Sequence, residues 1–189
     1  MRRPIDAAEP VRYVLLGMLV DGPRHGYDLA RAFVPGTAIG SIVHLATSHM
    51  YALLSHMERE GLIEGEYQEQ GLRPTRRVYR ITETGSAAFS RWIDTPVARP
   101  RDVSLEFQLK LYLTQRLDRE RALTLVGHQR EHFAAYLADL EREPQQDSPP
   151  TDRAFLRLLR EARIERTRST LTWLDLCAQT LAAQSPGAR

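Results

Sequence analysis

A helix-forming segment that passes directly into two strand-forming segments restricts the fold of this chain more than any other feature. The apolar side chains of the helix recur at helical spacing and are those of Met50, Leu53, Leu54 and Met57. Thr47 or Ser48 is suited to cap its N-terminus, and Gly61 stands where a helix commonly ends. Residues 62–68 and 76–82 favour strands, and the segment between them is polar and turn-forming. This order predicts a capped helix followed by a two-stranded wing.

Further helices are predicted on both sides of this unit. Residues 11–20 and 27–33 carry apolar side chains at helical spacing, and a turn containing glycine and proline follows each. We interpret residues 37–45 as a turn or a short helical connection. Thr82 is expected to cap another helix over residues 83–93. We therefore predict a mainly α-helical chain with a small two-stranded wing, whose N-terminal part is a winged helix-turn-helix.

A proline-containing segment divides the chain. Pro96 and Pro100 interrupt regular structure there, and the sequence beyond them is helix-forming almost throughout. The predicted helices of that second part cover residues 104–114, 118–142 and 151–183. The predicted organisation is an N-terminal domain at 1–95, a linker at 96–102 and a helical domain at 103–189.

Three helices and a wing are suited to reading DNA, because the major groove, about 12 Å wide, admits one helix. On this interpretation the third helix enters the groove. Small side chains on its outer face allow close approach to the bases, and its polar side chains can bond to phosphates or base edges. The predicted DNA-contacting residues of this helix are Ser48, His49, Tyr51, Ala52, Ser55 and Arg59.

The predicted wing carries a cluster of positive charge. Its four arginines, with no acidic residue among them, are Arg73, Arg76, Arg77 and Arg80. The alternation of side chains along a strand puts Arg76 and Arg80 on one side and Arg77 on the other. We predict that at least part of this cluster contacts DNA phosphates and releases their counterions.

The bulk composition does not by itself indicate a nucleic-acid partner. The formal net charge is only +2, so the local distribution of charge matters more than the total. Cys177 is the only cysteine, which excludes an internal disulfide and suits the cytoplasm, and we expect it to be a buried apolar residue. No apolar run approaches the ~20 residues of a membrane span, and no signal peptide is expected. These features predict a cytoplasmic protein without a membrane partner.

Three motifs, in the same order, resemble those of the PadR family of bacterial transcriptional regulators. The sequence GPRHGYDL at residues 22–29 is similar to the family's signature G-P-x-H-G-Y-[DE]-L. Residues 48–63 resemble the family's recognition helix, with Tyr51 at its characteristic tyrosine. Residues 77–85 resemble the second wing strand and the T-x-x-G cap that follows it. The resemblance covers about residues 11–93, whereas the C-terminal half resembles the family only in being helical.

The resemblance implies a homodimer whose C-terminal helices pack against the N-terminal region of the partner. It also implies a repressor, in many relatives one that leaves DNA when a small aromatic or drug-like effector binds. A dimer would read a palindromic operator with half-sites about one helical turn apart. Candidate residues for an effector pocket are Trp92, Phe107, Tyr112, Tyr136 and Trp173. Ordinary packing or a dimer contact is the alternative interpretation of each.

Other interpretations are compatible with the sequence. The winged helix could be a protein-interaction module without specific DNA binding, or the chain could bind a small molecule without regulating transcription. Tyr51 could be an edge-of-core aromatic, and the wing arginines could belong to an ordinary solvated loop.

The sequence does not favour an enzyme. It lacks a glycine-rich phosphate loop, a nucleophile elbow and zinc-ligand spacing. His44, His49 and His56 are not accompanied by a cysteine or a paired carboxylate that would complete a metal site. We therefore predict no catalytic residue, no metal and no cofactor.

Overall fold

The structure, a computed structural model, describes residues 8–70, 73–142 and 149–183. The contacts between residues divide the chain into two compact units. Unit 1 consists of residues 1–95 and 104–116, and unit 2 consists of residues 96–103 and 117–189. Residues 104–116 thus group with unit 1, although the sequence analysis assigned them to the helical domain. The predicted domain limits themselves stay a prediction.

Unit 1 begins with four helices: α1 (Ala8–Val20), α2 (Gly26–Arg31), α3 (Ala38–Ile42) and α4 (Thr47–Arg59). Their apolar faces meet in a core in which Leu15, Leu29 and Phe33 are buried. Helices α1, α2 and α4 confirm the three predicted helices, although α2 ends two residues earlier than expected. Helix α3 lies within the segment that we interpreted as a turn or short helical connection, and Thr37 caps it.

One of the two predicted ends of α4 is wrong. The N-cap residue is Ala46, in an extended conformation, and no side chain makes a capping hydrogen bond there. Thr47 and Ser48 are already the first two residues of the helix, so neither hydroxyl occupies the N-cap position from which it could accept from the backbone amides. The predicted C-terminus is confirmed, because Gly61 has a φ of +70°, a conformation that favours glycine.

The sheet contains the predicted wing and one additional short strand. The wing is the antiparallel hairpin of β2 (Ile63–Gln70) and β3 (Arg73–Ile81). The additional strand, β1 (Arg24–His25), pairs antiparallel with β3, which gives the order β1-β3-β2. Two residues are too few to produce an alternating pattern, so periodicity could not predict β1.

Thr82 links the wing to the next helix, as the sequence predicted. Its hydroxyl accepts a hydrogen bond from the Gly85 amide at 3.0 Å, which caps α5 (Glu83–Asp94). The same hydroxyl donates to the Gly61 carbonyl at 2.7 Å, so it also ties the start of α5 to the residues that follow α4.

The segment predicted as a linker contains a short turn of 3₁₀-helix. After α5 the chain passes through this turn (Pro100–Asp102) and a π-helical turn (Val103–Phe107). It then enters α6 (Gln108–Leu117), whose first nine residues belong to unit 1.

Unit 2 is built on an antiparallel pair of long helices, α7 (Arg119–Arg142) and α8 (Pro150–Ala183). Arg119, at the start of α7, donates to the carbonyl of Leu181 near the end of α8 at 2.8 Å. Apolar side chains buried in this unit include Val126, Phe133, Ile164 and Leu174. Within the described ranges, no helix is both long and apolar enough to span a membrane.

Candidate nucleic-acid interface

The outer face of α4 carries every residue that the sequence analysis selected on this helix. All six are exposed: Ser48, His49, Tyr51, Ala52, Ser55 and Arg59. The opposite face anchors the helix in unit 1 through Met50, Leu54 and Met57, which are buried. Because buried and exposed positions separate at helical spacing, the helix is held along its length while its small side chains remain accessible. Their contact with DNA stays a prediction.

Polar groups on this face bond mainly to the backbone of the helix itself. The Ser55 hydroxyl donates to the Tyr51 carbonyl at 3.0 Å, and Arg59 Nε donates to the Ser55 carbonyl at 3.4 Å. Neither side chain is therefore tied to another element of the fold by these bonds. Ala52 and Ser55 are small exposed side chains on this face, which suits the close approach of a groove floor.

Tyr51 lies between the core and the surface. Its side chain is 40% exposed. A Cβ atom placed on Gly26 would lie 2.8 Å from Cε1 of Tyr51 and 3.2 Å from Cε2 of Tyr79. One part of the Tyr51 ring therefore packs against the start of α2, and the remainder is open to a partner.

The outer face of the wing carries both signs of charge. Arg76 and Arg80 are both exposed there, and they lie on the same side of β3, as the strand alternation predicted. In the antiparallel register, Arg80 is directly opposite Glu64, and Arg76 is opposite Gln68. The hairpin thus brings an acidic residue beside an arginine that had no acidic neighbour in the sequence.

Arg77 points to the inner face of the wing and makes contacts within unit 1. Its Nη2 donates to both carboxylate oxygens of Glu58 at 2.7 Å. Sequence reasoning missed this pair because Glu58 is on α4, 19 positions away. Contact of Arg77 with DNA stays a prediction. Arg73 lies in β3, but its side chain is outside the described residues.

The chain is similar in sequence to known transcriptional regulators. Residues 15–91 match the sequence model of the Transcriptional regulator PadR-like family. Residues 105–182 match a second model, described as Virulence activator alpha C-term. The chain is also 28% identical to the Negative transcriptional regulator PadR of Bacillus subtilis over 174 residues, which are 87% of this chain and 93% of that protein. Residues 15–91 of this chain are therefore similar to the PadR-like transcriptional regulators, and the similarity to the Bacillus subtilis protein extends over most of the chain.

Solved structures of the Bacillus subtilis protein are similar to this PadR-like chain over most of its length. The structure of that protein in complex with operator DNA has 27% identity and a TM-score of 0.45, and the match covers 90% of this chain and 98% of that one. The structure in complex with p-coumaric acid has 25% identity and a TM-score of 0.42, with 96% and 100% covered.

The local structure explains why glycine occupies two positions of the PadR-like signature at residues 22–29. Gly22 has a φ of +130°, which other residues rarely adopt, and it turns the chain after α1. Gly26 leaves the space that the Tyr51 ring occupies. Between them, Arg24 and His25 form β1. The signature therefore connects the end of α1 to the wing and to the outward-facing α4.

The five candidate pocket residues are divided between the two units. In unit 1, Trp92 stacks on Tyr13 with ring centroids 4.8 Å apart, Phe107 is buried, and Tyr112 lies under the Arg116 guanidinium. In unit 2, Tyr136 lines a shallow cavity of about 430 Å³ with Asp139, Leu140 and Arg142, whereas Trp173 is half-buried on α8. An effector pocket that uses these residues stays a prediction.

Lys110 is a buried charge that the sequence analysis did not select. Its side chain is 1% exposed, and Nζ lies 2.9 Å from Glu106 Oε1 and donates to the Thr95 carbonyl at 2.5 Å. Nζ also lies 4.9 Å from the centre of the Trp92 ring. Burial lowers the pKa of Lys110, and the carboxylates of Glu106 and Asp94 oppose that shift. The sequence feature that could have drawn attention to Lys110 is composition, because it is the only lysine in the chain.

Proposed function

We propose that this PadR-like regulator is a dimeric repressor that inserts α4 into the major groove of a palindromic operator. The observation that supports this proposal is the exposed outer face of α4, on a helix that is anchored by buried methionines and a leucine on its other side. A helix held in this way can enter a groove without losing its packing in the fold.

In this proposal the side chains of α4 and the arginines of the wing have different roles in DNA binding. Ala52 and Ser55 allow the helix backbone to approach the base edges, while His49, Tyr51 and Arg59 bond to bases or phosphates. Arg76 and Arg80, exposed on the wing, contact the neighbouring phosphates. The contacts of the wing supply affinity, and the contacts of α4 supply sequence specificity.

An apolar patch on α8 supports the dimer. Phe155, Leu158 and Leu159 follow one another at helical spacing and remain exposed, Phe155 at 61% and Leu158 at 64%. A cluster of this kind on a long helix is typical of an association surface. We propose a second copy of the chain as its partner, which would present two α4 helices to two half-sites about one helical turn apart.

The proposed direction of regulation is repression, because the relative from Bacillus subtilis is named a negative regulator. The test is transcription in vitro from the promoter that carries the site, located first by nuclease footprinting. Addition of the protein should reduce transcript from that promoter and leave a promoter without the site unchanged. An increase in transcript would show an activator instead.

We propose further that a small aromatic acid releases the protein from its operator. The first compound to test is p-coumaric acid, which the Bacillus subtilis PadR binds in a solved structure. A true effector must weaken DNA binding, and it must itself bind the DNA complex less well by the same factor. A compound that binds without changing DNA affinity would indicate a small-molecule site without regulatory output.

One observation favours a second candidate function, a winged helix that binds another protein. Glu64 opposite Arg80 reduces the net positive charge of the wing's outer face. A protein-interaction module would bind DNA only weakly and without sequence preference, and physiological salt would abolish that binding.

A further inference from the structure

Arg77 and Glu58 join the inner face of the wing to α4. We propose that Arg77 is a positioning residue, which with Glu58 fixes the wing relative to the reading helix, and that it does not itself contact DNA. This inference rests on the proposed function, because it assigns one of the predicted DNA-contacting arginines to a different task.

The geometry around Glu58 is that of a junction between three chain segments. Its two carboxylate oxygens accept from Nη2 of Arg77 at 2.7 Å, and Oε1 also accepts from the backbone amide of Gly65 at 3.1 Å. Glu58 is on α4, Gly65 on β2 and Arg77 on β3, so one carboxylate bonds to both wing strands. The acceptor is ionised, which makes these hydrogen bonds stronger than neutral ones.

The surroundings of Arg77 leave the guanidinium little freedom. It lies 5.2 Å from the centre of the Tyr67 ring and 5.4 Å from that of Tyr79, within the range of cation–π attraction. A Cβ atom on Gly65 would lie 2.7 Å from Nε of Arg77 and 2.9 Å from Oε1 of Glu58. Glycine at position 65 therefore allows the guanidinium and the carboxylate to meet above the strand.

The charge of Arg77 is compensated inside the protein. Burial alone would lower the pKa of Arg77, but its interactions with Tyr79, Glu58 and Tyr67 raise that pKa above its ordinary value. An arginine guanidinium is in any case charged at neutral pH. The Glu58 carboxylate, in direct contact with the guanidinium, neutralises its positive charge. Arg76 and Arg80 have no ion pair with a described side chain and are exposed, so they are better suited to contact phosphate.

Operator binding measured as a function of salt separates a positioning residue from a phosphate contact. The variants are Arg77→Met, which keeps much of the side-chain length, Glu58→Ala, the double variant, and Arg80→Gln as the matched control. Each phosphate contact contributes about 0.9 to the slope of log affinity against log salt concentration. Circular dichroism and thermal unfolding verify that each variant is folded before its DNA binding is compared.

We expect Arg77→Met and Glu58→Ala to weaken operator binding by a similar factor, about three- to tenfold, without changing the salt slope. The double variant should bind no worse than either single variant, because both remove the same junction. Arg80→Gln should reduce the slope by about one. The inference is overturned if Arg77→Met reduces the slope as Arg80→Gln does, or if Glu58→Ala strengthens binding by removing a negative charge.

Hydrogen exchange in the protein without DNA tests the junction independently. The Gly65 amide should exchange faster in Arg77→Met and in Glu58→Ala than in the wild type, and Arg80→Gln should leave it unchanged. Unchanged exchange in the first two variants would refute the junction. If the wild-type protein binds no DNA specifically, the proposed function fails, and the exchange rates still decide whether Arg77 positions the wing.

Discussion

The ring of Tyr51, on the outward-facing α4, packs against Gly26 at the start of α2, so closely that a methyl group on Gly26 would lie 2.8 Å from Cε1 of the ring. This contact connects two of the three motifs that resemble the PadR family. The glycine of the first motif provides the space in which the tyrosine of the second is held. The position of Tyr51 at the proposed DNA surface therefore depends on a residue outside α4.

Gly26→Ala should displace the Tyr51 ring and weaken operator binding by about tenfold, with a loss of about 1–3 kcal/mol in the free energy of unfolding from overpacking. Gly127→Ala is the matched control, because a Cβ atom at Gly127 meets no atom within 4 Å. Fluorescence anisotropy and chemical denaturation measure the two effects. Normal operator binding by a folded Gly26→Ala protein would mean that the position of Tyr51 is unimportant for DNA contact.

Glu64→Gln should strengthen DNA binding, because it removes the carboxylate directly opposite Arg80 on the outer face of the wing. The reciprocal change, Gln68→Glu, places a carboxylate opposite Arg76 and should weaken binding. We expect opposite changes of about two- to fivefold, larger at low salt than at high salt. Titrations of both variants at two salt concentrations check this. Equal affinities in all three proteins would show that the outer face of the wing is remote from phosphate.

Stability should depend on pH through Lys110. Because burial lowers its folded-state pKa below the ordinary value of 10.5, the unfolded chain binds the proton more tightly than the folded chain does. The resulting destabilisation is fully present below the folded-state pKa and disappears as the pH rises toward 10.5. The free energy of unfolding of the wild type, minus that of Lys110→Met, should therefore increase with pH in this window.

Urea denaturation of both proteins at a series of alkaline pH values measures this difference, in which the other titrating groups largely cancel. Since Lys110 is the only lysine, selective isotopic labelling gives one side-chain NMR signal that reports its pKa directly. A difference in stability that stays constant or falls as the pH rises would contradict the argument.

Leu158→Glu should weaken the proposed dimer, because it puts a charge into the exposed apolar patch on α8. Sedimentation over a range of protein concentrations should give twice the mass of one chain for the wild type and a shift toward single chains for the variant. Gln179→Glu, at an exposed position of the same helix, adds a charge without removing apolar surface and should leave the dimer intact. Dissociation of both variants to the same extent would indicate a general effect of charge.

The parts of the fold that the sequence predicted are those with local causes. The periodicity of Met50, Leu54 and Met57, the glycine after α4 and the Thr82 cap each depend on residues a few positions apart. The alternation of side chains along β3 is also local, and it correctly placed Arg77 on the opposite side from Arg76 and Arg80.

The parts that the sequence did not predict depend on distant residues or on a choice between adjacent ones. The pairing of Arg77 with Glu58 and the burial of Lys110 beside Trp92 arise only when separate elements pack together. The start of α4 was placed one or two residues late because Thr47 and Ser48 are both common N-cap residues, and Ala46 is not.

The proposed role of α4 is to read a specific DNA sequence with its exposed face. Its most direct test is fluorescence anisotropy with a duplex from the chain's own upstream region, at ~150 mM salt and with competitor DNA. We expect binding at two chains per site, tighter than binding to unrelated duplexes by a factor of ~10³ or more. Weak binding that is equal for all duplexes and lost at this salt concentration, in a genome-wide selection as well, would contradict it.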